Sequence, residues 1–387
     1  MSPNRTTFYQ YLGLHSLLIG IFPFYIPVYL WKQQFDLAEI SLFISFAGAG
    51  FCLGLWVWDR ARLRMSLISI VAISLLLEIA LLFNVYILEM DRPTLFALGV
   101  TYGLYNCFYW TTQRALFFDL IDVESSGRKY GNFQIFVGAS LQVGILIGGI
   151  LLEVSSLVYL LLASAVIALG GFILLARTSL LYPKTLTEHE SLGFADILRF
   201  RDTDNSRFIF SIDGFFLFAE SFFWVITLFL LAHESFAKLG IMVLSLAVIF
   251  GILFFFLKNT IDRLGRNRIY RLAVLLYAAS WALRAIIEDQ MSLEVLYLFL
   301  VVITFCTTFF RLAMNKRFYD LAKITLSHDY LVLKSYYSQF WIAIGFALLA
   351  LAFGNMSYNE GLLVPIYWTL AVVAFSYLVY GYRRYRT

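Results

Sequence analysis

The sequence predicts an all-α polytopic membrane protein, with twelve transmembrane helices in two pseudo-symmetric six-helix bundles. Three observations lead there. Hydrophobic residues make up 61% of the chain and charged residues 14%, whereas a soluble domain sits nearer half apolar and a quarter charged. The apolar residues come in blocks of about 20, long enough to cross a hydrocarbon core of roughly 30 Å. Basic residues crowd into every second connection between those blocks. Helices are expected because a lone helix satisfies its own backbone in lipid.

Span 1 (10–31) follows the polar start MSPNRTTFYQ, which lacks a signal-peptide cleavage pattern. It holds Pro23 and Pro27, two of only six prolines, and is expected to bend. Span 2 (38–58) runs into the basic segment DRARLR, and span 3 (65–87) is almost wholly aliphatic. Span 4 (95–118) ends in FFDL, span 5 (131–152) carries the pair Gly148–Gly149, and span 6 (157–177) is LVYLLLASAVIALGGFILLA. The longest polar stretch then intervenes. It divides the chain into an N-terminal six-helix bundle (1–177), a central loop (178–207) and a C-terminal bundle (208–387). Span 7 (208–232) contains SIDGFFLFAESFFWVITLFL, and span 8 (238–257) precedes DRLGRNR. Spans 9 (270–287), 10 (294–316), 11 (333–353) and 12 (362–382) complete the set.

With twelve spans both termini share one face. The segments on that face hold 22 of the 29 Lys and Arg, and the opposite face holds only Lys32, Arg92 and Lys238. Positive charge stays cytoplasmic, so both termini are expected in the cytosol. The net charge of +4 therefore reports topology, and no nucleic-acid partner is expected. Cys52, Cys107 and Cys306 all lie in apolar spans without metal spacing. No metal or cofactor is expected.

Internal similarity supports two related halves. DRARLR at Asp59 and DRLGRNR at Asp262 are 203 residues apart; FFDL at Phe117 and FYDL at Phe318 are 201 apart, as are Gly144 and Gly345. DRLGRNR, Asp262 to Arg268, resembles the loop motif of the major facilitator superfamily: an acid–base pair, then Gly, then more basic residues. DRARLR keeps Asp59 and Arg60 but has Arg62 at the Gly position, and Leu55 replaces the upstream Gly beside Gly54. The stretch FFDLIDVESSGRKYGNFQIFVGASLQVGILIGGILLE resembles the family's span 4–5 region, with Asp119, Glu124, Gly127, Arg128, Gly131 and Gly148–Gly149 at family-like places.

The resemblance implies paired bundles that rock about a midplane site. It also implies a conformational latch built from Asp59, Arg60, Asp119, Arg128, Asp262, Arg263, Gly265, Arg266 and Asp320. Arginines there can bond exposed helix-end carbonyls and carboxylates.

A charge at the bilayer centre costs at least about 2.5–3.5 kcal/mol on insertion scales, so such residues usually face a cavity or a partner. Eight ionisable residues fall inside spans: His15, Glu78, Arg114, Asp213, Glu220, Arg284, Arg311 and Lys334. Five of them lie on spans 1, 4, 7 and 10, which the resemblance implies line a central cavity. Glu220 lies roughly 20 Å beyond Arg207 and Asp213 about 9 Å. Seven residues apart, the two acids share a face.

Asp213, Arg114 and Arg311 are expected at one depth, so Asp213 can pair with either arginine. Pairing with Arg114 would join the halves. Glu220 has no evident cation at its depth, and a carboxyl so placed can bind a proton. Glu220 and Asp213 are thus the candidate proton-coupling residues. His15, Asn106, Tyr109, Gln113, Arg114, Trp224 and Arg311 are the candidate substrate contacts; Gln134 and Gln142 can either touch a ligand or bridge helices, and Trp110, Phe222 and Phe223 can either line an aromatic site or pack in the core or against lipid. Arg284 and Lys334 are expected to snorkel toward the membrane faces. Glu78 receives no role.

The chain lacks a GxxxxGK[ST] phosphate loop and an HExxH pair. The expected function is a secondary active transporter, not an enzyme, moving a small organic solute by alternating access in proton-coupled export or antiport. It would act as a monomer in the bacterial inner membrane. A uniporter or uptake symporter of an amphipathic or aromatic solute is the nearest alternative. A transport-inactive receptor or scaffold and a lipid-modifying membrane enzyme are the alternatives of another class.

Overall fold

The structure is a computed structural model that describes residues 3–87, 92–120, 126–154, 157–176, 190–263, 266–288, 290–324, 328–354 and 360–381. Among the described residues there is no β-strand.

The first span bends as its prolines require. Helix α1 (Pro3–Ile21) stops before Phe22 (φ −135°, ψ −51°), a 3₁₀ turn spans Pro23–Tyr25, and α2 runs Ile26–Lys32. Proline removes a backbone donor and clashes with the preceding turn. Helix α3 (Leu37–Ala61) begins at a capping box. Asp36 Oδ1 accepts from the Glu39 amide at 2.8 Å, and Glu39 Oε2 accepts from the Asp36 amide at 3.2 Å. Then follow α4 (Leu67–Ile87), α5 (Arg92–Leu120), α6 (Ser126–Val154), α7 (Leu157–Ala176) and the short α8 (Phe194–Arg199).

The seventh expected span is interrupted. Helix α9 (Ser206–Phe218) passes into a π-helical turn, Ala219–Phe223, before α10 (Trp224–Leu231). After it come α11 (Phe236–Arg263), α12 (Arg266–Ala285), α13 (Leu293–Ile324), α14 (His328–Phe353) and α15 (Leu363–Ala374), which tightens into a 3₁₀ segment, Phe375–Val379. Helices α5, α11 and α13 run longer than the apolar blocks that announced them, because polar residues continue the helix past the membrane-length core.

Among the described residues, seven helical stretches are long and apolar enough to cross a bilayer, and three shorter helices are also apolar. The expected spans 4 and 9 fall short: α5 carries Thr101, Asn106, Thr111, Thr112, Gln113 and Arg114, and α12 opens on Arg266, Arg268 and Arg271. Leu76, Val166, Leu351 and Val372 stand exposed on outward faces, as a surface wetted by lipid requires.

Two helix pairs, α3 with α14 and α6 with α11, tie the helices before residue 177 to those after 190. The first pair meets at a glycine. A Cβ on Gly48 would stand 2.8 Å from the Gln339 carbonyl oxygen, and beside it Ser45 Oγ donates to the Ala343 carbonyl at 2.6 Å. Small residues of this kind let helices approach in membranes. At the far end of α6, Glu153 Oε2 accepts from the Phe236 amide at 2.9 Å, which gives the start of α11 a carboxylate cap supplied from another helix.

A matched pair of substitutions tests this packing. Gly148 faces the Ile21 carbonyl of α1, whereas Gly138, on the same helix, has nothing within 4 Å of where its Cβ would be. Gly148→Ala is expected to cost about 1–3 kcal/mol by overpacking and to lower the thermal midpoint in detergent. Gly138→Ala leaves the midpoint unchanged or raises it.

Candidate functional site

Charged side chains converge where α9, the π turn, α12, α13 and α14 meet. Arg311, on α13, donates through Nη1 to Asp213 Oδ1 at 2.8 Å. It also donates to Glu220 Oε2, through Nε at 3.2 Å and Nη2 at 3.0 Å. One guanidinium thus holds two carboxylates that are nearly two helical turns apart. Tyr277 Oη donates to Glu220 Oε1 at 2.6 Å, and Tyr377 Oη donates to Asp213 Oδ1 at 2.8 Å. Lys334 Nζ lies 3.2 Å from Asp213 Oδ2. Two acids therefore meet two bases. The members differ in access: the side chains of Arg311 and Glu220 keep 15% and 17% of their surface exposed, Asp213 only 1%.

The local sequence explains the placement. Asp213 and Glu220 fall on one face of the seventh span, but the π turn adds a residue to the helical repeat at Ala219–Phe223 and re-aims Glu220 toward α12 and α13. Such turns are frequent at functional sites. Tyr277 stacks on Phe310 at 4.0 Å with the rings 11° from parallel, which fixes the hydroxyl that Glu220 uses.

Two expectations are corrected here, and of the two partners left open for Asp213 one is selected. Glu220 has a cation after all, because the arginine side chain reaches along the helix face well beyond the depth of its own Cα. Asp213 pairs with Arg311 and Lys334 rather than with Arg114, whose Nη1 donates to Ser335 Oγ at 2.9 Å. The Asp213 pair accordingly does not join the halves, although Arg114 itself reaches from α5 to α14. Lys334 and Arg284 do not snorkel: they are 5% and 3% exposed, held inward by Asp213 and by two indole rings respectively.

The remaining candidates divide. His15 and Tyr109 lie together, their rings stacked 3.8 Å apart. His15 Nε2 faces Glu78 Oε2 at 3.9 Å and Ser74 Oγ at 3.4 Å. Neither oxygen of Glu78 accepts a hydrogen bond, and both side chains are sealed in the core. Asn106 donates to the Tyr102 carbonyl and accepts from Trp110 Nε1, so it serves its own helix. Gln113 is buried and Trp224 nearly so. The network lies in the second half of the chain and does not include His15, Asn106, Tyr109 or Gln113.

The expected latch is altered. Arg60 is half-buried and lies over the Trp56 ring at 4.3 Å. Arg62, standing where the family motif has Gly, takes its place, with Nε on Asp59 Oδ1 at 2.8 Å. The pair grips the end of the central stretch. Arg62 Nη2 donates to the Glu190 carbonyl at 2.9 Å, and Asp59 Oδ2 accepts from the Leu192 amide at 2.8 Å. Asp320 pairs with Lys316 at 3.3 Å. The side chains of Asp119, Arg128, Asp262, Arg263 and Arg266, and Gly265 itself, lie outside the described residues.

Sequence reasoning missed Tyr277 and Tyr377. Their signal was a phenol deep in an apolar segment, where the hydroxyl needs a partner.

Two outcomes follow. Arg311→Leu leaves Asp213 and the partly exposed Glu220 without their shared cation, Lys334 still holding Asp213, and is expected to cost less than the about 3–5 kcal/mol of a fully buried pair. Adding Asp213→Asn and Glu220→Gln should return much of that, as read from thermal unfolding in detergent. Asp59→Asn weakens the bond to Leu192, so hydrogen exchange at that amide should accelerate by about tenfold, for a charge-assisted bond of roughly 1.5–3 kcal/mol.

The profile of the Major Facilitator Superfamily matches residues 11–345. No curated relative matches the chain by sequence. Solved structures are similar in fold. A nucleoside transporter, NupG, aligns with TM-score 0.67 at 13% identity over 98% of this chain and 98% of its own. A bacterial homologue of the iron transporter ferroportin, in an outward-facing state, gives 0.63 at 14% over 98% and 99%. The human organic anion transporter MFSD10 gives 0.63 at 15% over 97% and 99%. Profile and fold point to a membrane transporter rather than an enzyme: the chain belongs to the Major Facilitator Superfamily.

Proposed function

We propose that the protein is a secondary active transporter that moves a small organic solute by alternating access, coupled to protons in export or antiport. The observation that carries the reading is the shared guanidinium. Glu220 sits in a π turn, partly exposed, with Oε2 held by Arg311, and a proton arriving at that carboxyl competes with Arg311 for it. Protonation releases one end of the arginine while Asp213 retains the other. The released donors can then take a solute group or allow α13 to shift against the seventh span.

We further propose twelve spans in two six-helix bundles divided at 178–207, with both termini cytosolic. The basic-residue asymmetry supports the orientation. Equivalent packing supports the division: Gly144 of α6 lies against Leu17 of α1, and Gly345 of α14 lies against Phe215 of α9. The Glu153–Phe236 contact at one end and the Arg114–Ser335 contact nearer the other are suited to break in turn as the bundles rock.

The test runs in two steps. A thermal-shift screen of purified protein against metabolites, lipids, drugs and siderophores supplies a solute. Flux of that solute is then measured in proteoliposomes with and without a pH gradient. A gradient should accelerate wild-type flux, and Glu220→Gln should abolish the acceleration while leaving solute binding within a few-fold. Gradient-driven flux undiminished in that variant defeats the Glu220 role. Flux indifferent to the gradient in wild type identifies a uniporter, and absence of flux for every bound solute identifies a receptor or scaffold.

A further inference from the structure

A cavity of about 620 Å³ opens between the end of α10, the end of α12 and the start of α15. That is the size range of small-molecule sites. It contains none of the residues of the Asp213–Arg311–Glu220 network. Its distinctive wall residue is Arg284, 3% exposed. An arginine four residues before Glu288 could have extended to the membrane face. Instead its guanidinium is folded inward, 4.2 Å from the Trp281 ring centre and 5.0 Å from that of Trp224.

The hydrogen bonding of Arg284 is incomplete. Nη1 donates to Ser280 Oγ at 3.1 Å and Nη2 to Thr307 Oγ1 at 2.9 Å. A guanidinium carries five N–H donors, and Nε among the rest is buried without a partner. No carboxylate pairs with Arg284 among the described residues. Glu220 is the acid whose field reaches it, and both Glu220 oxygens are already held by Arg311 and Tyr277. A buried cation with unused donors and no counter-ion is costly unless something supplies the negative charge. One side of the wall is apolar, with Leu230, Leu231, Ile287 and Leu363; the hydroxyls of Thr227 and Tyr367, which bond each other at 2.6 Å, adjoin it, and His233 and Glu234 also line the cavity, Glu234 forming no ion pair with Arg284 among the described residues.

We infer that this cavity binds an amphipathic anion, its phosphate or carboxylate head on Arg284 and its apolar body against the leucine and isoleucine side of the wall. Such a head accepts two parallel N–H bonds from a guanidinium, and the adjoining hydroxyls can complete its shell. A soluble amphipathic anion and the head group of a lipid share this chemistry. The inference does not depend on the transport cycle proposed above.

Trp224 and Trp281 report on the site, because an anion that draws Arg284 away from their faces alters their emission. Purified full-length protein in a maltoside detergent is titrated with octyl phosphate, and with octyl glucoside as a neutral partner of equal chain length. Octyl phosphate should change tryptophan fluorescence saturably, and octyl glucoside should not. Arg284→Gln should weaken octyl phosphate by at least about tenfold, the loss expected for a charge-assisted bond. Arg201→Gln, at an exposed position, should not weaken it. Val364→Trp, which fills the cavity but keeps Arg284, should also abolish binding, so the inference stays testable if Arg284→Gln fails to fold.

Thermal midpoints in nanodiscs of phosphatidylglycerol and of phosphatidylcholine separate the sources. Stabilisation by phosphatidylglycerol that both variants lose identifies a lipid head group, and a response to octyl phosphate alone identifies a soluble anion. Octyl phosphate binding equally well to wild type, Arg284→Gln and Val364→Trp overturns the inference. So does the absence of any preference for octyl phosphate or phosphatidylglycerol over its neutral counterpart.

Discussion

The charged network in the second half of the chain depends on one guanidinium satisfying two carboxylates. Arg311 spans the distance between Asp213 and Glu220, and no shorter side chain could. Removing one member of such a partly buried charge network leaves its partners less well compensated. The three residues therefore form a coupled unit in which a change at one carboxylate is felt at the other. Asp213, sealed and also held by Lys334 and Tyr377, is the fixed end. Glu220 is partly exposed and seated in the π turn.

The surrounding helices are arranged to hold this unit. Tyr277 is clamped against Phe310, and α12, α13 and α14 each contribute one member. The contacts that join the early and late helices are of another kind. They include close backbone approaches at Gly48, single hydrogen bonds at Ser45, Arg114 and Glu153, and ring contacts such as Tyr25–Phe236, Phe43–Phe222 and Phe117–Tyr319. The neutral Ser45 bond is worth about 0.5–1.5 kcal/mol, and the bonds of Arg114 and Glu153, each with a charged group, about 1.5–3 kcal/mol.

The fold was legible wherever one physical signal dominated. Block length and backbone satisfaction in lipid dictated helices, Pro23 and Pro27 dictated the break in the first span, and the loop motif pointed to the family. The network was legible only in part. Asp213, Glu220 and Arg311 stood out as charges in apolar spans, but depth counted along the axis treats a side chain as a point. It therefore separated Arg311 from Glu220 and let Lys334 and Arg284 escape to the surface. The π turn was invisible because it depends on tertiary contacts and not on propensity. The exchange of Arg60 for Arg62 at the latch was written in the sequence as a lost Gly. Its consequence required knowing that the 190–192 backbone lies within reach.

The central claim is that a proton from solvent reaches Glu220 and displaces Arg311. Infrared difference spectroscopy of the purified protein between neutral and acidic pH tests it directly. The account predicts a protonated-carboxyl band that appears on acidification, shifts in D₂O because the site exchanges with water, and is missing in Glu220→Gln. A band that persists in that variant, or the absence of any exchangeable carboxyl band in wild type, would contradict it.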